Sequence, residues 1–128
     1  MIELSGPHAH ALIIEDNMIM SRAIEAQLMA AGFRSIYHAR TRNRAMALAR
    51  VQSPDVVVVG EHVDQWAGIA AAQELSHRDG TAVMMVTTDP QFWRRPVPED
   101  VPMRGPYRID QLSRAFSPRR QGSAAPVA

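Results

Sequence analysis

Three short apolar runs, each stopped by polar or turn-forming residues, set the rhythm of this chain. Ala11–Ile14 (ALII) ends in Glu15-Asp16-Asn17, Asp55–Val59 (DVVVV) ends at Gly60, and Ala82–Val86 (AVMMV) ends at Thr87-Thr88-Asp89. Continuous apolar runs of this length fit strands buried on both faces. The four valines are the strongest of them, because β-branched side chains pack well on a pleated surface. Arg34–Arg40 (RSIYHAR) reads as a shorter, more polar strand, and Val101–Met103 as a brief edge strand. Between the strands the apolar period lengthens to that of a helix. From Met18 to Ala31, residues Met20, Ile24, Leu28 and Ala31 share one stripe, with Asn17 placed to cap it and Gly32 to close it. Thr41 and Asn43 offer turn or cap groups before a second face of Ala45, Leu48, Ala49 and Val51, which stops at Ser53-Pro54. Glu61–Gly68 reads as a loop, Ile69–His77 as an alanine-rich third helix, and Ile109, Leu112 and Phe116 as the face of a last one.

The pattern breaks between residues 90 and 106, which hold Pro90, Pro96, Pro98, Pro102 and Pro106. Each proline removes a backbone donor and costs a helix interior ~3 kcal/mol, so no long helix fits between 90 and 100. Residues 1–10 read as a flexible leader, 11–116 as one domain and 117–128 as a disordered tail. Alternating strands and helices with buried strands imply an α/β fold, an open parallel sheet with helices on both faces. Functional groups of such sheets gather at the carboxyl ends of the strands, where the strand order reverses. Those ends carry Glu15-Asp16, Gly60-Glu61, Thr87-Thr88 and Arg104-Gly105.

Composition narrows the chemistry. The 128 residues are 46% hydrophobic and 21% charged, the profile of one soluble globular domain. There is no cysteine, which excludes disulfides, thiolate zinc sites and cysteine nucleophiles. All 14 basic residues are arginine, so lysine chemistry is excluded. A net charge of +1 argues against nucleic acid as a partner. No apolar run approaches the ~20 residues of a membrane span. The leader MIELSGPHAH carries no basic residue before an apolar stretch, unlike a secretory signal, so the expected location is the cytoplasm with no membrane partner.

Several landmarks in order resemble the receiver domain of bacterial response regulators, of the chemotaxis-regulator kind, from about Ala11 to Phe116. They are Glu15-Asp16-Asn17 after the first strand, Gly32-Phe33 after the first helix, Pro54-Asp55 and the valines of the third strand, Gly68 eight residues after Gly60, Val86-Thr87, and Pro106-Tyr107 after the fifth strand. The resemblance implies a flavodoxin-like, doubly wound, five-stranded parallel sheet, with the fourth helix shortened or replaced by the proline-rich loop. It also implies a place in two-component signalling. Its departures bear on function. The family accepts a phosphoryl group on an aspartate where this chain has Gly60. Its lysine falls on Gly105, with Arg104 beside it, and its aromatic switch residue falls on Pro102. In-line phosphoryl transfer needs a carboxylate nucleophile, a magnesium ion on carboxylate oxygens, and a cation and hydroxyl for the developing charge. The expectation is a degenerate pseudo-receiver with no catalytic residue: a non-enzymatic, phosphorylation-independent module that binds a histidine kinase, a phosphotransfer protein or another regulator.

The remaining candidates each admit a plain reading. Glu15 and Asp16 either hold magnesium weakly or form a solvated acidic pocket satisfied by backbone amides; no cofactor is otherwise expected. Glu61 or Asp64 would serve as acceptor in an atypical receiver with residual magnesium-dependent phosphorylation. Thr87 takes the switch-hydroxyl position, or simply bonds local backbone. His8 and His10 suit a metal or are ordinary polar leader residues. Met18, Ile19 and Arg22, with Pro106 and Tyr107, would form the partner face, because the family docks this end of its first helix on helical bundles. Trp93, with Phe92, Arg94 and Arg95, reads as a cover for the core, a protein interface or a single-strand nucleic-acid contact.

Overall fold

The computed structural model describes residues 9–60, 70–71, 73–75, 81–88 and 103–116. Five strands, β1 (His10–Ile14), β2 (Ser35–Ala39), β3 (Val56–Val59), β4 (Ala82–Thr87) and β5 (Met103–Arg108), form one sheet in the order β2-β1-β3-β4-β5. Every pairing is parallel. Helices α1 (Met18–Ala30) and α2 (Arg42–Val51) connect the early strands, residues 70–71 and 73–75 are helical, and a 3-10 helix, Ile109–Ala115, follows β5.

The continuous apolar runs arise because the sheet is covered twice. Leu12, Ile14, Val57, Val59 and Val83 point to one side, where they meet Ala45, Met46 and Ala49 of α2 and the helical residues Ala71 and Leu75. Ala11, Ile13, Val56, Val58, Met84 and Val86 point to the other, against Ile24 and Leu28 of α1, Phe33, Leu112 and Phe116. Alternate side chains of each strand thus have a core to enter, so a polar residue has no place in the run. The doubly wound α/β fold expected from the sequence is the fold observed.

Local chemistry ends the elements where the sequence signals. Asn17 Oδ1 accepts from the Met20 amide at 3.0 Å, and Thr41 Oγ1 from the Arg44 amide at 3.2 Å. At the other end of α1, Gly32 takes φ 110°, its amide donates to Met29 and that of Phe33 to Leu28, a Schellman closure. Phe33, buried next to Leu28, supplies the accompanying apolar contact.

Four expectations are corrected. The first strand starts at His10, and Ala9 and His10 are buried, so the domain reaches into the presumed leader. Val51, placed on the apolar face of α2, is 73% exposed, and Met46 takes its place in the core. The edge strand is not Val101–Met103 but Met103–Arg108, and it contains Pro106 and Tyr107 rather than preceding them. A proline is tolerated there because β5 pairs on one side only. Pairing steps from Met84↔Arg104 to Val86↔Tyr107, so β5 carries one extra residue at the cis Gly105-Pro106 bond, a β-bulge. The closing element is 3-10 rather than α-helical, with Phe116 beyond its end. The expected fourth-helix loop and tail lie outside the described residues.

His10 is the buried polar group of β1. Its Nδ1 lies 2.7 Å from the Ser35 hydroxyl, its ring meets Tyr37 edge-on at 4.5 Å, and its Nε2 has no hydrogen-bond partner among the described residues. Burial lowers its pKa below the ordinary 6.5, against the opposing pull of the Ser35 carbonyl and Asp55. The unfolded chain therefore binds the proton more readily. The contribution of His10 to stability is present above pH 6.5 and is lost as the pH falls toward the depressed folded value. Urea midpoints at about pH 7.5 and about pH 5.5 should fall further for the wild type than for His10→Asn, which keeps a partner for Ser35 but does not titrate. Equal falls in the two proteins would exclude His10 as the source.

Candidate functional site

The strand order reverses between β1 and β3, so the ends of these strands define the candidate site. Pairing continues past both strands: the Glu15 amide donates to the Ala39 carbonyl and the Gly60 amide to the Ile14 carbonyl, each at 2.9 Å. These bonds hold Glu15 and Gly60 side by side. The Glu15 side chain is 2% exposed, and its Oε2 accepts from the Asn17 amide at 2.8 Å. Its other end lies over Gly60. A Cβ built on Gly60 would overlap Glu15 Oε1 and lie 2.7 Å from Cδ. The volume that a side chain at position 60 would need is filled by a carboxylate from β1.

Asp16 does not join it. It is exposed and accepts from Arg40 Nε at 3.1 Å, an ion pair in open solvent. Thr87, at the end of β4, is fully buried. Gly105, at the lysine position, has φ 114°, and a Cβ there would lie 2.6 Å from the Met85 carbonyl oxygen. No L side chain is accommodated without moving β5. Arg104 is exposed beside it.

A magnesium ion of the kind the receiver resemblance implies needs several converging oxygens in near-octahedral array. The donor set here is one buried carboxylate turned into the place of the missing third ligand, and one surface carboxylate held by an arginine. Among the described residues, no group of three or more His, Asp or Glu is placed to hold a metal. The described residues do not fit such an ion. His10, one of the pair considered for metal, is instead enclosed by β2; His8, Glu61, Asp64 and Trp93 lie outside the described residues.

Two concavities flank α1. One, of about 380 Å³, lies between α1 and β2 and is lined by Glu15, Asp16, Met18, Arg22 and Arg40, with a chain of polar groups on its wall. His38 Nδ1 is 2.6 Å from the Ser21 hydroxyl, and Nε2 is 3.4 Å from Glu25 Oε1. The sequence did not single out Ser21 or Glu25, because only packing of β2 against α1 brings them to His38. The other, of about 580 Å³, runs between α1 and the end of β5, lined by Ile19, Ala23, Ala26, Arg108, Ile109 and Asp110 among others. Met18 and Ile19 are 62% and 81% exposed, and Arg22 is exposed beside them. Pro106 and Tyr107, expected on this face, are half-buried within β5, and Arg108–Asp110 border the groove instead. No helix among the described residues is long and apolar enough to cross a membrane.

No protein-family model matches the sequence, and no curated protein matches it. Solved structures do. The response regulator PhyR from Brucella abortus is 26% identical with a TM-score of 0.63, over 83% of this chain and 45% of that one. Chemotaxis response regulator CheY4 of Vibrio cholerae is 18% identical at 0.66, over 84% of this chain and 95% of that one. A CheY-like receiver domain from Methylobacillus flagellatus is 17% identical at 0.64, with the same coverages. This chain spans less than half the length of the PhyR structure and nearly all of the CheY-like ones. The strand order, the doubly wound core and these likenesses together show that the chain has the receiver fold.

Proposed function

We propose that this protein is a signal-transduction receiver that works without phosphorylation, as a non-catalytic protein-interaction module. The observation that carries the reading is the Glu15 carboxylate seated over Gly60, where the resemblance places an acceptor aspartate. Among the described residues, three parts of phosphoryl transfer are absent from the places where the resemblance puts them: the nucleophile at 60, converging metal ligands, and the lysine at 105, where a Cβ would lie 2.6 Å from the Met85 carbonyl oxygen. The structural neighbours support a role in signalling, since they are response regulators and a response-regulator receiver domain. The partner face is the N-terminal half of α1, where Ile19 stands exposed at the groove that Arg108–Asp110 border, and Met18 and Arg22 stand exposed at the concavity on the β2 side. A histidine kinase, a phosphotransfer protein or another regulator is the partner class, and the setting is cytoplasmic.

Two measurements test this. Incubation with a small phosphodonor and magnesium, read by intact mass, should leave the mass unchanged. A phosphoryl adduct would end the phosphorylation-independent reading and direct attention to Glu61 or Asp64. Capture from host lysate by the wild type and by Ile19→Glu should yield a two-component protein with the first and lose it with the second. Identical captures would remove α1 from the partner face.

A further inference from the structure

Helix α1 buries one side and exposes the other, where apolar residues flank Arg22 and Glu25. Ile19, Met18 and Met29 are 81%, 62% and 60% exposed, and Ala23, Ala26 and Ala30 are exposed with them. Three large apolar side chains thus stand exposed on one 13-residue helix, and exposed apolar groups gathered on one element mark interaction sites. At 100° per residue the outer face resolves into two adjacent rows. One is Ile19, Ala23, Ala26, Ala30; the other is Met18, Arg22, Glu25, Met29. Both have the spacing four, three, four, so each reads the same from either end.

That symmetry selects an occupant. We infer that the face of α1 is covered by the same face of a second copy, the two helices antiparallel about a twofold axis. A twofold pairing sets each row against itself. Ile19 then meets the small Ala30 of the second copy, Ala23 meets Ala26, and Met18 meets Met29. The charges agree with this: Arg22 falls opposite Glu25 of the second copy, twice by symmetry. Arg22 has no ion-pair partner among the described residues, and Glu25 is half-exposed, with His38 Nε2 at 3.4 Å. A parallel pairing would set Arg22 near Arg22 and Glu25 near Glu25, and would stack Ile19 on itself at one end. The centres of the two rows lie one residue apart, about 1.5 Å along the axis, a mismatch that side chains of this length absorb. Alanines at the crossing point let the helix backbones approach closely. One helix pair is a small interface, below the roughly 800 Å² per partner of stable complexes, so the dimer is weak, with a dissociation constant on the order of 10–100 μM.

The inference goes beyond the signalling role and does not need it, although a second copy and a signalling partner would compete for Ile19. Sedimentation velocity of the full chain from about 5 μM to about 500 μM tests it. The wild type should pass from monomer to dimer across this range, and Ile19→Glu should stay monomeric. Arg22→Glu should weaken association about tenfold by facing Glu25 with a like charge, and the swap Arg22→Glu/Glu25→Arg should restore it. All these positions are at the surface, and unchanged thermal melts confirm folding. A wild type that remains monomeric throughout overturns the inference, as does a dimer indifferent to Ile19→Glu and to the charge reversal. Failure of the signalling reading would instead appear as a dimer that captures no two-component protein.

Discussion

Replacing Gly105 with lysine, the residue that receiver chemistry uses at this position, is expected to destabilise the fold by about 2–6 kcal/mol rather than repair the site. Two terms add. A side chain at φ 114° is strained, typically by about 1–3 kcal/mol, and its Cβ lies 2.6 Å from the Met85 carbonyl and 3.0 Å from the Tyr107 amide. Both neighbours are backbone held in the β4–β5 ladder, so relief requires the sheet edge to move, at about 1–3 kcal/mol more. A domain of this size has about 5–15 kcal/mol in total, so the variant would be marginal at room temperature. Urea denaturation of Gly105→Lys beside Gly105→Ala makes the check, because alanine carries the same Cβ without the long side chain. A loss below about 1 kcal/mol in the alanine variant would show that β5 re-routes easily.

Gly60→Asp is expected to behave in the opposite way. Here the atoms in conflict are the far end of the Glu15 side chain, which can rotate away, with only its Cβ, at 3.1 Å, close from the fixed part. The variant should fold, at a cost of about 1–2 kcal/mol from crowding and from placing a third carboxylate beside Glu15 and Asp16. Once Glu15 moves aside and Asp16 leaves Arg40, the three carboxylates would hold magnesium. Free magnesium at ten times its dissociation constant should restore about 1.4 kcal/mol, a rise of several degrees in Tm. The wild type should show no such rise. A magnesium response in the wild type would mean that Glu15 and Asp16 suffice for the ion, contrary to the geometry. No response in Gly60→Asp would mean that Glu15 does not leave its seat.

The interior strands were legible in the sequence because two-sided burial leaves no room for polar residues, and the valines of β3 show this at its strongest. The caps were legible because Asn17, Thr41 and Gly32 each have one dominant use at a helix end. β5 was not legible. An edge strand needs hydrogen bonds on one side only, and Arg104, Gly105, Pro106 and Arg108 satisfy that while looking like a loop. Met46 and Val51 exchanged roles because the direction of the α2 face is set by packing on Leu12, Ile14 and Val57, to which the local period is blind. At the site, the loss of the acceptor at Gly60 could be read directly. What moved into the space could not, since the position of the Glu15 carboxylate depends on a neighbouring strand 45 residues away in the chain. The Ser21–His38 contact was invisible for the same reason.

The foot of the sheet carries its own fastening. The His10 amide donates to Asp55 Oδ2 and the Asp55 amide to the His10 carbonyl, both at 2.8 Å, while the Thr81 hydroxyl bonds the Pro54 carbonyl at 3.0 Å. These links join β1, β3 and β4 at the end remote from Glu15, Gly60 and Thr87. The strands are therefore tied together below the site, and a change at Gly60 leaves these links in place. Removing the Asp55 carboxylate would free the His10 amide and loosen β1 from β3 at the foot.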